Sequence, residues 1–288
     1  MTPRLILVIA GLTLREVARR RILWVLLVLS VASVLLVGWG VERLVTIARE
    51  QRVDEVQIRI GVSQVLIMIA FQFSFVLAMS AAFLAAPAIA SDVETGTVLA
   101  MLARPMRRAD LVVGRWLGLS VVVAGYAAVS GLLAIGAVGA ISGHVPPSPL
   151  VAVAFLAFQS IAVLTLALAF GSRLPGIAAG AITVVLFGLS WFAGVLGNIA
   201  LAFGAAPLEG LGNIVRVLLP TDGIWRGVIY GLEPPMVLLA AVGRGGTVME
   251  ANPFFASAPP PLPFVIWSVI WVALVLGIAV RLFSRREL

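Results

Sequence analysis

The chain has 288 residues, of which 61% are hydrophobic and 11% charged, with a formal net charge of +7. A soluble domain carries about 25% charged residues, so this composition, with a mean hydropathy of +1.13, excludes a soluble globular protein and implies an all-α, polytopic membrane protein with no separate soluble domain. There is no cysteine, and all 20 basic residues are arginine; this excludes disulfides, Cys-ligated metals and thiol nucleophiles, and the P-loop with its lysine.

The chain opens with the apolar stretch "LILVIAGL", which an arginine cluster follows. That order, with no A-x-A site, is the reverse of a signal peptide, so the segment is expected to be retained. In "LTLREVARRRILWVLL" and the residues before it, Leu5, Ile6, Ile9, Leu12, Val17 and Ala18 share a broad face while Arg15, Glu16, Arg19 and Arg20 point to water. The pattern predicts an interfacial helix over residues 1–21, its arginines near lipid phosphates; the competing reading is an extension of the first span.

A helix needs about 20 apolar residues to cross the hydrocarbon core. Six segments qualify: 22–40, 60–90, 111–143, 150–171, 174–203 and 262–281. Between the first two, Glu42, Arg43, Arg49, Glu50, Arg52, Asp54 and Glu55 alternate in sign, as in a short solvated helix with local ion pairs. A contact for an external partner there is the less economical reading. His144, in "SGHVPPSP" between spans three and four, reads as a solvated loop residue. Residues 204–261 are too apolar for a plain loop, since they hold Ile214, Val215, Val217, Leu218, Leu219, Trp225, Val228, Ile229 and Tyr230. They predict short amphipathic or re-entrant helices broken at Pro220 and Pro234–Pro235, followed by a stiff proline run into the last span.

Arginine placement sets the orientation. Six spans put both termini on one side, which collects 13 arginines against five acids; the other side holds seven arginines against eight acids. The positive-inside rule therefore predicts cytoplasmic termini and a cytoplasmic segment 91–110. The same bias accounts for the high isoelectric point without a nucleic-acid partner.

Clustered chemical groups are missing. One histidine builds no His-rich metal site, H-E-x-x-H is absent, and no catalytic residue, metal or cofactor is expected. The spans are nearly free of ionisable residues, which argues against a proton relay. Their neutral polar residues, Gln64, Gln72, Ser74, Gln159, Ser160, Thr165 and Asn198, suit hydrogen bonds between helices; the functional alternative is that Gln64, Gln72, Gln159 and Asn198 line a translocation path. G-x-x-x-G spacing at 114–118, 139–143 and 176–180 fits packing within the chain.

One stretch fits none of these roles: "SDVETGTVLAMLARPMRRADLVVGRW", between spans two and three. Asp92 and Glu94 suit the start of a short helix over about 95–103. Val98, Leu99, Met101 and Leu102 give it an apolar face, and Pro105 breaks it. A short helix held outside the bilayer with an apolar face needs something to bury that face on.

At these residues the chain resembles the type 2 ATP-binding-cassette (ABC) permeases. The resemblance is carried by Glu94, Gly96, Thr97, Leu99, Leu102, Pro105, Arg108, Gly114, Arg115 and Gly118, by the basic entry "LREVARRRILWVLL" and by the ending "RLFSRREL". "SDVETGT" carries less charge than the family's usual Glu-Arg-Glu run, and Arg115 stands where lysine is common. Within the family the chain is most similar to permeases tied to copper-enzyme maturation.

The resemblance implies an exporter subunit in a bacterial or archaeal plasma membrane, itself not an enzyme. Two permease chains, identical or different, would pair with two separate ATPase subunits. Glu94, Thr95, Gly96, Thr97, Leu99, Leu102, Pro105 and Arg108 would form the coupling segment that an ATPase groove receives. A different class stays open: a non-transporting anchor or assembly subunit of a larger membrane complex.

Overall fold

The computed structural model describes residues 3–19, 21–94, 107–235 and 251–286. Among these it is all-α: α1 Pro3–Ala18, α2 Arg21–Glu50, α3 Glu55–Glu94, α4 Arg108–Ser142, α5 Pro149–Gly171, α6 Gly176–Phe203, α7 Ala206–Leu218, α8 Thr221–Leu232 and α9 Leu262–Ser284. Helices α2 to α6 and α9 are long and apolar enough to cross a membrane. The punctuation is local. Prolines stand in the first turns of α5, α7 and α9, where a missing N–H costs nothing. Gly143 and Gly204, both at φ 71°, close α4 and α6 in the left-handed conformation that other residues resist.

α3 and α5 form the centre. About half of their most apolar stretches is buried (50% and 56%), against 17% for α2 and 22% for α9, which lie at the rim. The centre is built from small residues. Ala78, Ala81, Ala82, Ala85 and Ala86 of α3 pack in one cluster with Val163, Leu164, Ala167 and Leu168 of α5, which lets backbones approach closely. The turn between α5 and α6 seats on α3: a β-carbon at Gly171 would collide with Ala86, and one at Gly176 would meet Pro87. Gly180, one turn on, lies against the Phe83 ring.

Three sequence expectations change. The charged stretch after span one is not a separate short helix but the end of α2, because Val41 and Val45 are buried in the core that α3 completes. The chain then reverses through Arg52, at φ 57°, and Arg49 reaches Glu55 at 3.5 Å across the turn. Second, Asp92 and Glu94 lie in the last turn of α3, which runs 40 residues and so spans about 60 Å, twice the hydrocarbon thickness; the short helix expected over about 95–103 lies outside the described residues. Third, His144 is buried rather than solvated. Its loop is held down where the Ser148 N–H donates to the Gly231 carbonyl at 3.1 Å. Burial, with the nearby Arg59 charge second, lowers its pKa from the ordinary histidine value.

Candidate functional site

Two polar clusters sit at opposite ends of the bundle. The near end is where α3 and α9 finish and α4 begins. There α1 lies against α4, and glycines set the distance. A β-carbon at Gly114 would come within 2.7 Å of the Ile9 side chain, and one at Gly118 within 2.7 Å of the Ala10 carbonyl. Ile9, Thr13 and Val17 are the buried residues of α1. Its inward stripe is therefore narrower than the broad apolar face expected, and Leu7, Val8, Leu12 and Leu14 are left exposed.

Between the two glycines stands Arg115, its side chain 9% exposed. Its Nη1 donates to Glu16 Oε2 of α1 at 3.1 Å, and its Nη2 pairs with Asp92 of α3. The electrostatics are complementary. Two carboxylates, Asp92 and Glu94, close α3 at its negative dipole end, which is unfavourable by itself; a buried guanidinium beside Asp92 offsets this. One cation thus joins α1, α3 and α4 at the root of segment 95–106.

Other arginines close the same end. Arg108 Nη1 donates to the carbonyls of Ser284 at 3.1 Å and Arg286 at 2.6 Å, capping the carbonyls that α9 leaves unpaired. Arg286 in turn donates to the Ser172 carbonyl at 3.1 Å, in the turn between α5 and α6. Residues that charge counting assigned to one side thus meet in one place.

The far end is built around α8 and a buried ion pair. α8 is almost wholly buried, and it presents glycines at every fourth position. A β-carbon at Gly231 would meet Ala152 at 2.9 Å, at Gly227 the Phe155 ring at 2.5 Å, and at Gly223 it would enter the Phe264 ring. A chain of hydrogen bonds fixes its first turn. Ser74 Oγ donates to Gln159 Oε1 at 2.7 Å, Gln159 Nε2 to the Thr221 carbonyl at 3.1 Å, Thr221 Oγ1 to Ser190 Oγ at 3.0 Å, and Ser190 Oγ to the Leu219 carbonyl at 2.8 Å. Beside it, Arg216 of α7 donates to Asp222 Oδ2 at 2.9 Å, the Gly194 carbonyl at 3.1 Å and Asn198 Oδ1 at 2.8 Å. Gly194 is required there, because any β-carbon would occupy the Asp222 carboxylate.

The sequence-derived residues divide accordingly. Glu94 is exposed as the last residue of α3, and Arg108 is half-buried in the first turn of α4. Thr95, Gly96, Thr97, Leu99, Leu102 and Pro105 lie outside the described residues. Gln159 and Asn198 are buried in the far-end network, Gln64 is half-buried in α3, and Gln72 is exposed and donates to Ser33 Oγ at 3.1 Å. The Glu16–Arg115–Asp92 cluster was not foreseen as a unit, nor was the Arg216–Asp222 pair. The usable signal was an ionisable residue within an apolar run, flanked by glycines three or four apart.

Among known families, one described as "ABC-2 family transporter protein" matches residues 7–288. The chain belongs to this family. It is a membrane permease component of an ABC transporter, in a family whose members are transport components and not catalysts, and membership implies an ABC ATPase partner. No individual curated protein matches the permease. In the permease, Gly114, Arg115 and Gly118 acquire physical meaning: two glycines admit α1, and the arginine between them locks it to the end of α3.

Proposed function

We propose that the permease exports a substrate, or transmits force, by receiving the motion of two separate ATPase subunits through segment 91–110. It works as a pair of chains, with both termini in the cytoplasm of a bacterial or archaeal cell. The observation that carries the reading is the Arg115 clamp. Both stems of the segment, Glu94 on α3 and Arg108 on α4, are rooted in elements that this guanidinium ties to each other and to α1. A displacement of segment 95–106 therefore reaches three helices at once, and α9 through Arg108. A lever transmits only if the partner binds it differently in two states; ATP-driven closure of the ATPase pair supplies that difference. α1, with Leu7, Val8, Leu12 and Leu14 outward and Arg15 and Arg19 toward water, lies in the cytoplasmic interface. The 204–261 region forms the outer end, and exposed Gln72 of α3 is the strongest of the four candidates to line a path.

The test uses the full permease reconstituted with its ATPase. Gly96→Trp, Glu94→Lys and Arg115→Gln are expected to insert and still bind ATPase, while permease-stimulated ATP hydrolysis falls about fivefold or more. Unchanged stimulation in all three sinks the coupling assignment and favours the anchor reading. Orientation has its own check: the protein has no cysteine, so a single Thr97→Cys label should react only from the cytoplasmic side.

A further inference from the structure

Residues 251–261 lie outside any helix and lead into α9 at the far end. Two of them, Phe255 and Ala256, are buried at 2% and 0% exposure. The ring of Phe254 stands edge-on to Phe71 of α3, centroids 5.3 Å apart, and Phe71 also meets Trp191 of α6 and Trp225 of α8. The segment is thus a strap pressed onto three helices. Its later half is packed less tightly, since a cavity of about 310 Å³ separates residues 257–261 from Arg216 and Gly223.

A carboxyl holds the middle of the strap. The Ala256 N–H donates to Glu233 Oε2 at 3.2 Å. Glu233 is 1% exposed, and its Oε1 has no hydrogen-bond partner among the described residues. Three features disfavour a charge there. The group is buried; it accepts one N–H where an ionised carboxylate has about four acceptor sites; and it stands at the C-cap of α8, the negative end of the helix dipole.

No neighbouring charge compensates. Ser63 Oγ of α3 donates to the Leu232 carbonyl, and the Ser148 N–H of the α4–α5 loop to the Gly231 carbonyl, so both elements border the site. The nearby titratable groups on them are exposed Arg59, Glu55 paired with Arg49, and buried His144. α8 itself carries Tyr230 and Arg226, the latter acting on Asp222. Neither α5 nor the strap has a titratable residue. Among the described residues none of these groups forms an ion pair with Glu233.

We propose that the strap is a pH-sensitive closure of the far end, shut while the Glu233 carboxyl is protonated and lifted when it ionises. An ionised Glu233 gains most by reaching water, and Ala256 stands in its way. The cavity behind residues 257–261 gives the strap room to move without displacing a helix, and the stiff run Pro259 to Pro261 carries that movement to the first turn of α9. Burial, opposed by the single Ala256 N–H, raises the carboxyl to about 7, so the closed state is favoured below neutral pH and weakened above it. The device needs no ATPase, so this reading and the coupling reading can fail separately.

The experiment measures backbone amide exchange in the full permease, alone in nanodiscs, at about pH 5 and pH 8, corrected for the intrinsic pH dependence of exchange. Protection of residues 252–257 is expected to fall about tenfold at the higher pH, while α5 amides hold theirs. Glu233→Gln should keep the strap protected at both values, and His144→Gln should leave the response intact. Equal protection of the wild-type strap at both values, a matching loss in α5, a response that survives Glu233→Gln, or one that disappears in His144→Gln overturns the proposal. A second measurement keeps Glu233 in place. Spin labels at Ala258→Cys and Leu150→Cys, both exposed positions, should move apart as pH rises; a constant distance also overturns it.

Discussion

At each end of the bundle an arginine pairs with carboxylate, Arg115 with Glu16 and Asp92 and Arg216 with Asp222, and the two arginines do different work. Arg216 bonds within its own neighbourhood: Asp222 is six residues on, and Asn198 and Gly194 are 18 and 22 back. Arg115 joins residues 99 and 23 positions away, on two other helices. Exposure differs too. The Asp222 side chain is 5% exposed, whereas Glu16 is 44% exposed. The far-end pair is a fold-closing latch whose carboxylate is shut from solvent. The near-end cluster is a joint between elements, open on one side at Glu16.

Breaking the latch should be the most damaging single change. Asp222→Ala leaves a buried guanidinium facing a void, a loss of about 3–5 kcal/mol. Thermal unfolding in detergent should show it, with early proteolysis in residues 204–232. The double variant Arg216→Met, Asp222→Leu should recover much of the loss, since an apolar pair needs no desolvation.

At the near end, Gly118→Leu forces a side chain into the Ala10 backbone. Overpacking of that kind costs about 1–3 kcal/mol, and here α1 should detach while the six spans stay inserted, which protease release of residues 3–19 would reveal.

Arg115→Gln should cost less than Asp222→Ala, about 2 kcal/mol, because half-exposed Glu16 regains water. Salt sharpens the contrast. Raising ionic strength from 0.1 to 1 M shortens the screening length from about 10 to 3 Å. The wild-type near end should loosen measurably, while the latch should not respond.

A pH effect is expected at the far end. Burial raises the Glu233 carboxyl from 4.5 to about 7, partly opposed by the Ala256 N–H that it accepts. The folded state then binds the proton more tightly than the unfolded one. Its contribution is complete below pH 4.5 and lost as pH rises through 7. Between pH 5 and 8 the far end should lose about 1–2 kcal/mol, after allowing for partial solvent screening, and Glu233→Gln should flatten the profile. The smallest effect expected is a gain: Arg52→Gly at φ 57° relieves left-handed strain worth at most about 1 kcal/mol, read as a rise in the unfolding midpoint.

The spans were legible in the sequence because a bilayer demands about 20 apolar residues from each, and runs such as 150–171 supply them. The same logic failed at residues 41–50, whose charges look solvated although Val41 and Val45 face the core. Periodicity alone does not say that a neighbouring helix covers two valines. At the near end, the residues of the resemblance were legible but their work was not. Arg115 read as a cation at a membrane entry. Its burial depends on Glu16, 99 positions earlier, and no local pattern connects the two. At the far end a signal was present, since glycines at 223, 227 and 231 mark one helix face. Which rings fill that face is a matter of packing.

The sequence by itself determined the membrane class, the number of spans and the side that gathers arginine. Hydropathy, charge and proline act within a few residues, so each is readable without a fold. Only the tertiary structure decided that Arg115 is a joint, that Gln159 and Asn198 are bound into the far-end network, and that His144 is buried. Each of these depends on atoms brought together across tens of residues, where burial turns an ordinary polar group into one that needs a particular partner.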